Sequence, residues 1–149
     1  MNFEKAVKNL DEMNIIAAEI ASILNEFGDE GCIVVINGEM GAGKTTLVSF
    51  LVNKLRPSLN AKPSSPTFTI INEYASDMYH VDLYRITKAA ALGVGLDEIL
   101  DGNNIVFVEW ASIMGEEYWQ GFEQRMITIN IEKVGEDGRV ISVTKGSNK

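Results

Sequence analysis

The chain has 149 residues, 46% of them hydrophobic and 23% charged, a length that fits one domain (1–149) able to bury a core without disulfides or a structural metal. Thirteen basic against 21 acidic residues leave a net charge of −8. That balance argues against solo binding to RNA or DNA, because backbone phosphates are held by Lys and Arg. Action on nucleic acid through a basic partner stays open. No apolar run approaches the roughly 20 residues needed to cross a bilayer. Met1–Lys5 lacks the basic-then-apolar pattern of a leader. The single cysteine, Cys32, cannot pair internally, so a cytoplasmic location is expected, and one His with one Cys makes a zinc site implausible.

In chain order, Ile15, Ile16, Ile20, Ile23, Leu24 and Phe27 recur at helical spacing, predicting a helix over 11–27 with Asp11 as N-cap and Gly28 as its stop. Cys32–Ile36 is a short unbroken apolar run rich in β-branched residues, the pattern of a strand buried on both faces of a parallel sheet. Apolar residues at 47, 48, 51, 52 and 55 predict a helix over 45–55, ended by Arg56-Pro57. All three prolines fall within 57–69, which predicts a long loop and a candidate nucleotide-responsive switch. Strands are expected at 68–74 and 78–83, short helices at 87–92 and 96–100, and a buried strand at 105–108 closed by Glu109-Trp110. Two alternating strands, 126–133 and 140–144, flank the turn signal Gly135-Glu-Asp-Gly138. Strands separated by helices indicate an α/β fold with a largely parallel central sheet, flanking helices and a C-terminal β-hairpin.

Residues 38–45, Gly-Glu-Met-Gly-Ala-Gly-Lys-Thr, match the phosphate-loop pattern G-x-x-x-x-G-K-[ST] between a buried strand and a helix. Glycines let the backbone curl so that its N–H groups face phosphate oxygens, and the following helix adds its positive end. Lys44 is the cation for the β- and γ-phosphates, and Thr45 offers a hydroxyl to Mg²⁺. Glu39, Met40, Gly41, Ala42, Gly43 and Thr46 complete the candidate nucleotide contacts. Asn-Lys occurs internally only at Asn53-Lys54, and neither an Asp-x-x-Gly switch nor a Leu-Ser-Gly-Gly signature is present, which argues against a GTPase or a transporter ATPase. The four arginines, at 56, 85, 125 and 139, do not cluster as in a kinase lid. A small-molecule kinase and a nucleotide sensor with little turnover remain as alternatives. Asp82 and Glu109 each end an apolar run, where the strand ends of a parallel sheet face the nucleotide crevice.

Gly41–Thr46, Ser65-Pro-Thr-Phe-Thr69, Asn72-Glu-Tyr74, His80-Val-Asp-Leu-Tyr-Arg85 and Val108-Glu-Trp110 occur in this order and spacing. Together they resemble the TsaE (YjeE) family of small bacterial ATPases. The resemblance runs from the first helix through Trp110 and more loosely over the C-terminal strands. It implies ATP and Mg²⁺ as cofactors and a role in forming N6-threonylcarbamoyladenosine at position 37 of tRNAs reading ANN codons. It implies TsaD- and TsaB-type partners, with tRNA met only through them; a monomer is the default when they are absent. It places Thr67 in a nucleotide-sensing loop, Asp82 on the metal side and Glu109 as the essential strand-end acid. Thr45, Asp82 and Glu109 are thus the candidate metal ligands, and Lys44, Asp82 and Glu109 the candidate catalytic groups. Which carboxylate orients water and which holds the metal is open. The family's usual Pro-Glu after Glu-Trp is replaced here by Ala111-Ser112. Arg85 reads as a cis finger or an ion pair, His80 as a site or structural histidine, and Cys32 as core.

Overall fold

The computed structural model describes residues 2–60, 70–84 and 86–146. Thr67, the rest of the Ser65–Thr69 block, most of the proposed switch loop and Arg85 lie outside the described residues. Among the described residues, seven strands form one sheet: β1 (Phe3–Val7), β2 (Cys32–Asn37), β3 (Ile71–Ala75), β4 (Met78–Asp82), β5 (Ile105–Glu109), β6 (Met126–Val134) and β7 (Gly138–Lys145), in the order β1-β7-β6-β2-β5-β4-β3. The four central strands β6, β2, β5 and β4 are mutually parallel, whereas β3, β7 and β1 pair antiparallel on the flanks. The parallel character belongs to the centre because only strands covered on both faces need crossover connections.

The helices are α1 (Leu10–Asn25), α2 (Lys44–Leu55), α3 (Lys88–Gly93), α4 (Leu96–Asp101) and α5 (Glu116–Gln120). β2 and β5 are the most deeply buried strands, and their alternate side chains feed two cores. Cys32, Val34, Ile36 and Phe107 face α1 and α2, while Ile33, Val35, Val106 and Val108 face α3, α4 and α5 through residues such as Ala91, Leu96 and Trp119. Cys32 lies in the first core, and burial pushes its thiol up to about 12.

Local chemistry corrects several boundaries. Asn9, not Asp11, caps α1: its side-chain oxygen accepts from Glu12 N–H, leaving Asp11 in the first turn, where a carboxylate favours the positive helix end. α1 ends at Asn25, so Phe27 packs on the first core from beyond the helix. β1 and α5 are additional elements. β1 is a short edge strand whose Glu4, Lys5 and Ala6 are exposed, so its sequence carries little apolar signal. α5 lasts five residues and is anchored by Trp119, whose indole N–H donates to the Ala111 carbonyl at 2.8 Å.

One glycine links the starts of two central strands. Gly31 has φ +75°, and a Cβ there would lie 2.2 Å from the Asn104 carbonyl oxygen. Gly31→Ala is expected to destabilise the fold by about 3 kcal/mol, combining backbone strain with overlap against rigid main chain. Gly28→Ala has a similar φ (+61°) but meets nothing within 4 Å, and should lose only about 1 kcal/mol. Equilibrium urea unfolding of both variants checks the difference; equal losses would show that overlap at Gly31 is relieved.

Candidate functional site

The site grows from the carboxyl ends of three adjacent parallel strands. Register sets Ile36 of β2 opposite Glu109 of β5, and Glu109 opposite Asp82 of β4. Two carboxylates separated by 27 positions therefore end neighbouring strands in one row, and the phosphate loop leaves β2 immediately beyond it. In open parallel sheets this edge is where ligands bind.

The loop is wound for anions. Ala42 N–H closes a turn onto the Glu39 carbonyl at 3.1 Å, and Gly43, with φ +106°, caps α2 in a conformation that side-chain-bearing residues avoid. A Cβ on Gly43 would also lie 3.3 Å from Met13 Cε of α1. The first turn of α2 holds Lys44, Thr45 and Thr46 and no acidic residue, so its free N–H groups and dipole remain available to a negative ligand. Lys44 is buried; its Nζ donates to the Gly38 carbonyl at 2.6 Å, lies 3.8 Å from Glu109 Oε1 and sits 5.1 Å from the Trp110 ring centre.

Glu109 is only 4% exposed. Its Oε2 accepts from Nε2 of fully buried His80 at 2.6 Å, so His80 and Lys44 each meet one of its two oxygens. The His80 ring stacks on Tyr74, and its Nδ1 finds no hydrogen-bond partner among the described residues. Asp82 is half-buried, and its Oδ1 accepts from Tyr84 N–H at 3.0 Å. Trp110 adopts φ +61°, a left-handed conformation costly for a bulky residue. It holds the indole 4.8 Å from the Tyr84 ring and over Lys44. The structure thus brings together the phosphate loop, Lys44, Thr45, Asp82, Glu109 and Trp110. Beside the loop a cavity of about 500 Å³ has Gly43, Thr46, Leu10, Met13 and Arg139 among its lining residues.

A family model described as "Threonylcarbamoyl adenosine biosynthesis protein TsaE" matches residues 7–141. The chain belongs to the TsaE family. Similar curated proteins carry the name "tRNA threonylcarbamoyladenosine biosynthesis protein TsaE". That of Bacillus subtilis (strain 168) is 34% identical over 133 residues, covering 87% of this chain and 80% of the relative. That of Haemophilus influenzae is 32% identical over 146 residues, covering 93% and 87%. That of Nostoc sp. is 40% identical over 101 residues, covering 62% and 60%. The crystal structure of Bacillus subtilis YdiB superposes with a TM-score of 0.71 at 30% identity, covering 99% of this chain and 88% of that one. Among the described residues, no helix is long and apolar enough to cross a membrane.

Within this TsaE-family chain, sequence reasoning found the loop and both carboxylates but missed two supports. His80 read equally as a site or a structural histidine, and nothing in the sequence showed that it meets Glu109. Arg139, from β7, donates to the carbonyls of Ala42 and Gly41 at 2.8 and 3.3 Å, and no local signal near 139 announces a contact with residues nearly a hundred positions away. Arg56 and Arg125 are engaged elsewhere, with Asp77 and with the carbonyls of Leu100 and Gly102.

Burial, reinforced by the Glu109 charge, raises the Asp82 carboxyl above its ordinary 3.8, against the Tyr84 N–H, His80 and Lys44, which lower it. Because the folded value exceeds the unfolded one, this ionisation subtracts stability as pH rises through the folded value. Asp82→Asn is therefore expected to raise the melting temperature at neutral pH; calorimetry at pH 7 checks it, and a lowered melting temperature would contradict it.

Proposed function

We propose that this chain, 1–149, is a cytoplasmic Mg²⁺-dependent ATPase required for forming N6-threonylcarbamoyladenosine at position 37 of tRNAs that read ANN codons. It acts with TsaD- and TsaB-type partners and meets tRNA only through them, is a monomer when free of them, and turns over slowly alone. The observation that carries this reading is the convergence of Lys44, Asp82 and Glu109 on the phosphate loop. The net charge of −8 fits indirect rather than direct work on RNA.

The donor set supports magnesium: the Thr45 hydroxyl and the Asp82 and Glu109 carboxylates are hard oxygen ligands. When bound, Mg²⁺ supplies charge neutralisation across the β- and γ-phosphates. The loop N–H groups other than that of Ala42, which is held by the Glu39 carbonyl, would cradle the phosphate chain, and Lys44, already at the loop mouth, would neutralise charge developing on the γ-phosphate. Thr46, in the first turn of α2, would lie near the α-phosphate. Glu109, its orientation held by His80 and Lys44, orients or deprotonates the attacking water. Asp82, more exposed than Glu109 and with the Tyr84 N–H as its hydrogen-bond partner, would hold the metal. Positioning and electrostatics supply the acceleration, because phosphoryl transfer to water needs little covalent help. Thr67 contributes from the nucleotide-sensing loop.

The test is Mg²⁺-dependent ATP turnover by the purified protein, alone and with TsaD- and TsaB-type proteins, followed by modification of an ANN-reading tRNA transcript. Partner-stimulated turnover and restored modification are expected. Phosphate transfer to a small acceptor would establish a kinase instead, and ATP-dependent partner binding without turnover would establish a nucleotide sensor.

A further inference from the structure

The β6–β7 hairpin reaches the phosphate loop through Arg139. Arg139 lies on β7, paired on one side with Val7 of β1 and on the other with Lys133 of β6, so its backbone is held between two strands. Its guanidinium makes three bonds to carbonyls: Nε to Ala42 at 2.8 Å, Nη2 to Gly41 at 3.3 Å and Nη1 to Gly138 at 2.8 Å. In a trans peptide the N–H points opposite to the C=O. Holding the Ala42 carbonyl on Arg139 therefore turns the Gly43 N–H away from the hairpin. Holding the Gly41 carbonyl likewise directs the Ala42 N–H onto the Glu39 carbonyl, the turn that winds the loop. Register partner Lys133 brings a second cation to the same side, its Nζ 3.9 Å from where a Cβ on Gly41 would lie.

We propose that Arg139 is a positioning residue for nucleotide binding: it acts through the phosphate loop, fixing the 41–42 peptide in the turn that winds the loop and the 42–43 peptide with its Gly43 N–H turned away from the hairpin and free for phosphate. The inference rests on the nucleotide-binding reading above. Without this clamp the loop must be ordered by the ligand itself, which weakens affinity. The clamped peptides, unlike Lys44, bind the phosphate chain alike in ground state and transition state, so KM rises and kcat at saturation holds.

The experiment is calorimetric titration of Mg²⁺-ADP into the wild-type chain and into Arg139→Gln, Arg139→Lys and Lys133→Gln, with ATP turnover measured in parallel. Arg139→Gln is expected to weaken ADP binding on the order of tenfold or more, as loss of charge-assisted hydrogen bonds does. Its KM should rise in step while kcat stays within about threefold. Arg139→Lys should recover part of the loss, because an ammonium can still donate to one carbonyl. Lys133→Gln, which keeps the clamp, should weaken binding less. Wild-type affinity in Arg139→Gln, or a lowered kcat at unchanged KM, would overturn the proposal. Equal effects of Lys133→Gln and Arg139→Gln would assign the gain to charge alone and overturn the clamp. If Arg139→Gln does not fold, Arg139→Lys decides: unchanged ADP affinity overturns the proposal and weakened affinity supports it. A wild-type chain that binds no ADP would instead sink the nucleotide-binding reading itself.

Discussion

Replacing Lys44 with alanine is expected to reduce ATP turnover about 10²–10³-fold and to weaken nucleotide binding. Lys44 is a buried cation beside the loop that would cradle the phosphates, and its Nζ already lies between the Gly38 carbonyl and Glu109. A charge-assisted bond to phosphate is worth about 1.5–3 kcal/mol in the ground state. Donors aimed at developing charge contribute about 3–4 kcal/mol in the transition state. Arginine is not expected to restore function, since a planar guanidinium cannot replace a compact ammonium inside so tight a turn. The measurement is a steady-state Mg²⁺-ATP assay with ADP titration; turnover within tenfold of wild type would remove Lys44 from the mechanism. The substitution also removes the one cation paired with buried Glu109 among the described residues and leaves it its bond to His80, so melting temperature should be recorded separately from activity.

Glu109→Gln should lower kcat about 10²–10⁴-fold while leaving ADP affinity within a few-fold, because the amide keeps the shape but loses the basic oxygen. The His80 Nε2–H can still donate to the amide oxygen, so the strand end should stay in place. The matched variant is Asp82→Asn, which should shift the Mg²⁺ requirement upward and be partly rescued by excess Mg²⁺. Undiminished turnover in Glu109→Gln would sink the water-orienting role. Rescue of Glu109→Gln by Mg²⁺, with Asp82→Asn inert at every Mg²⁺ concentration, would exchange the two assignments.

Much of this was legible because the relevant physics is local. The phosphate loop is contiguous, and its glycines and Lys44-Thr45 define an anion cradle wherever strand and helix flank it. β2 and β5 announced themselves as unbroken apolar runs because both faces of each are covered. The α1 periodicity was clear, yet its cap was misread by two positions, since Asn9 and Asp11 both suit that role and only the bond to Glu12 N–H distinguishes them. β1 stayed hidden because three of its five side chains face solvent and its pairing partner, β7, lies more than 130 residues away.

By itself, then, the sequence determined the α/β layering, the loop and the presence of two strand-end carboxylates, all properties of contiguous residues and their periodicity. Only the tertiary structure decided that Asp82 and Glu109 end adjacent strands in one row, that His80 and Lys44 hold the two oxygens of Glu109, and that Arg139 clamps the loop. Those are facts of strand order and register, and the pairing of strands distant in the chain is set by how the whole sheet buries its two faces, which no short stretch of residues encodes.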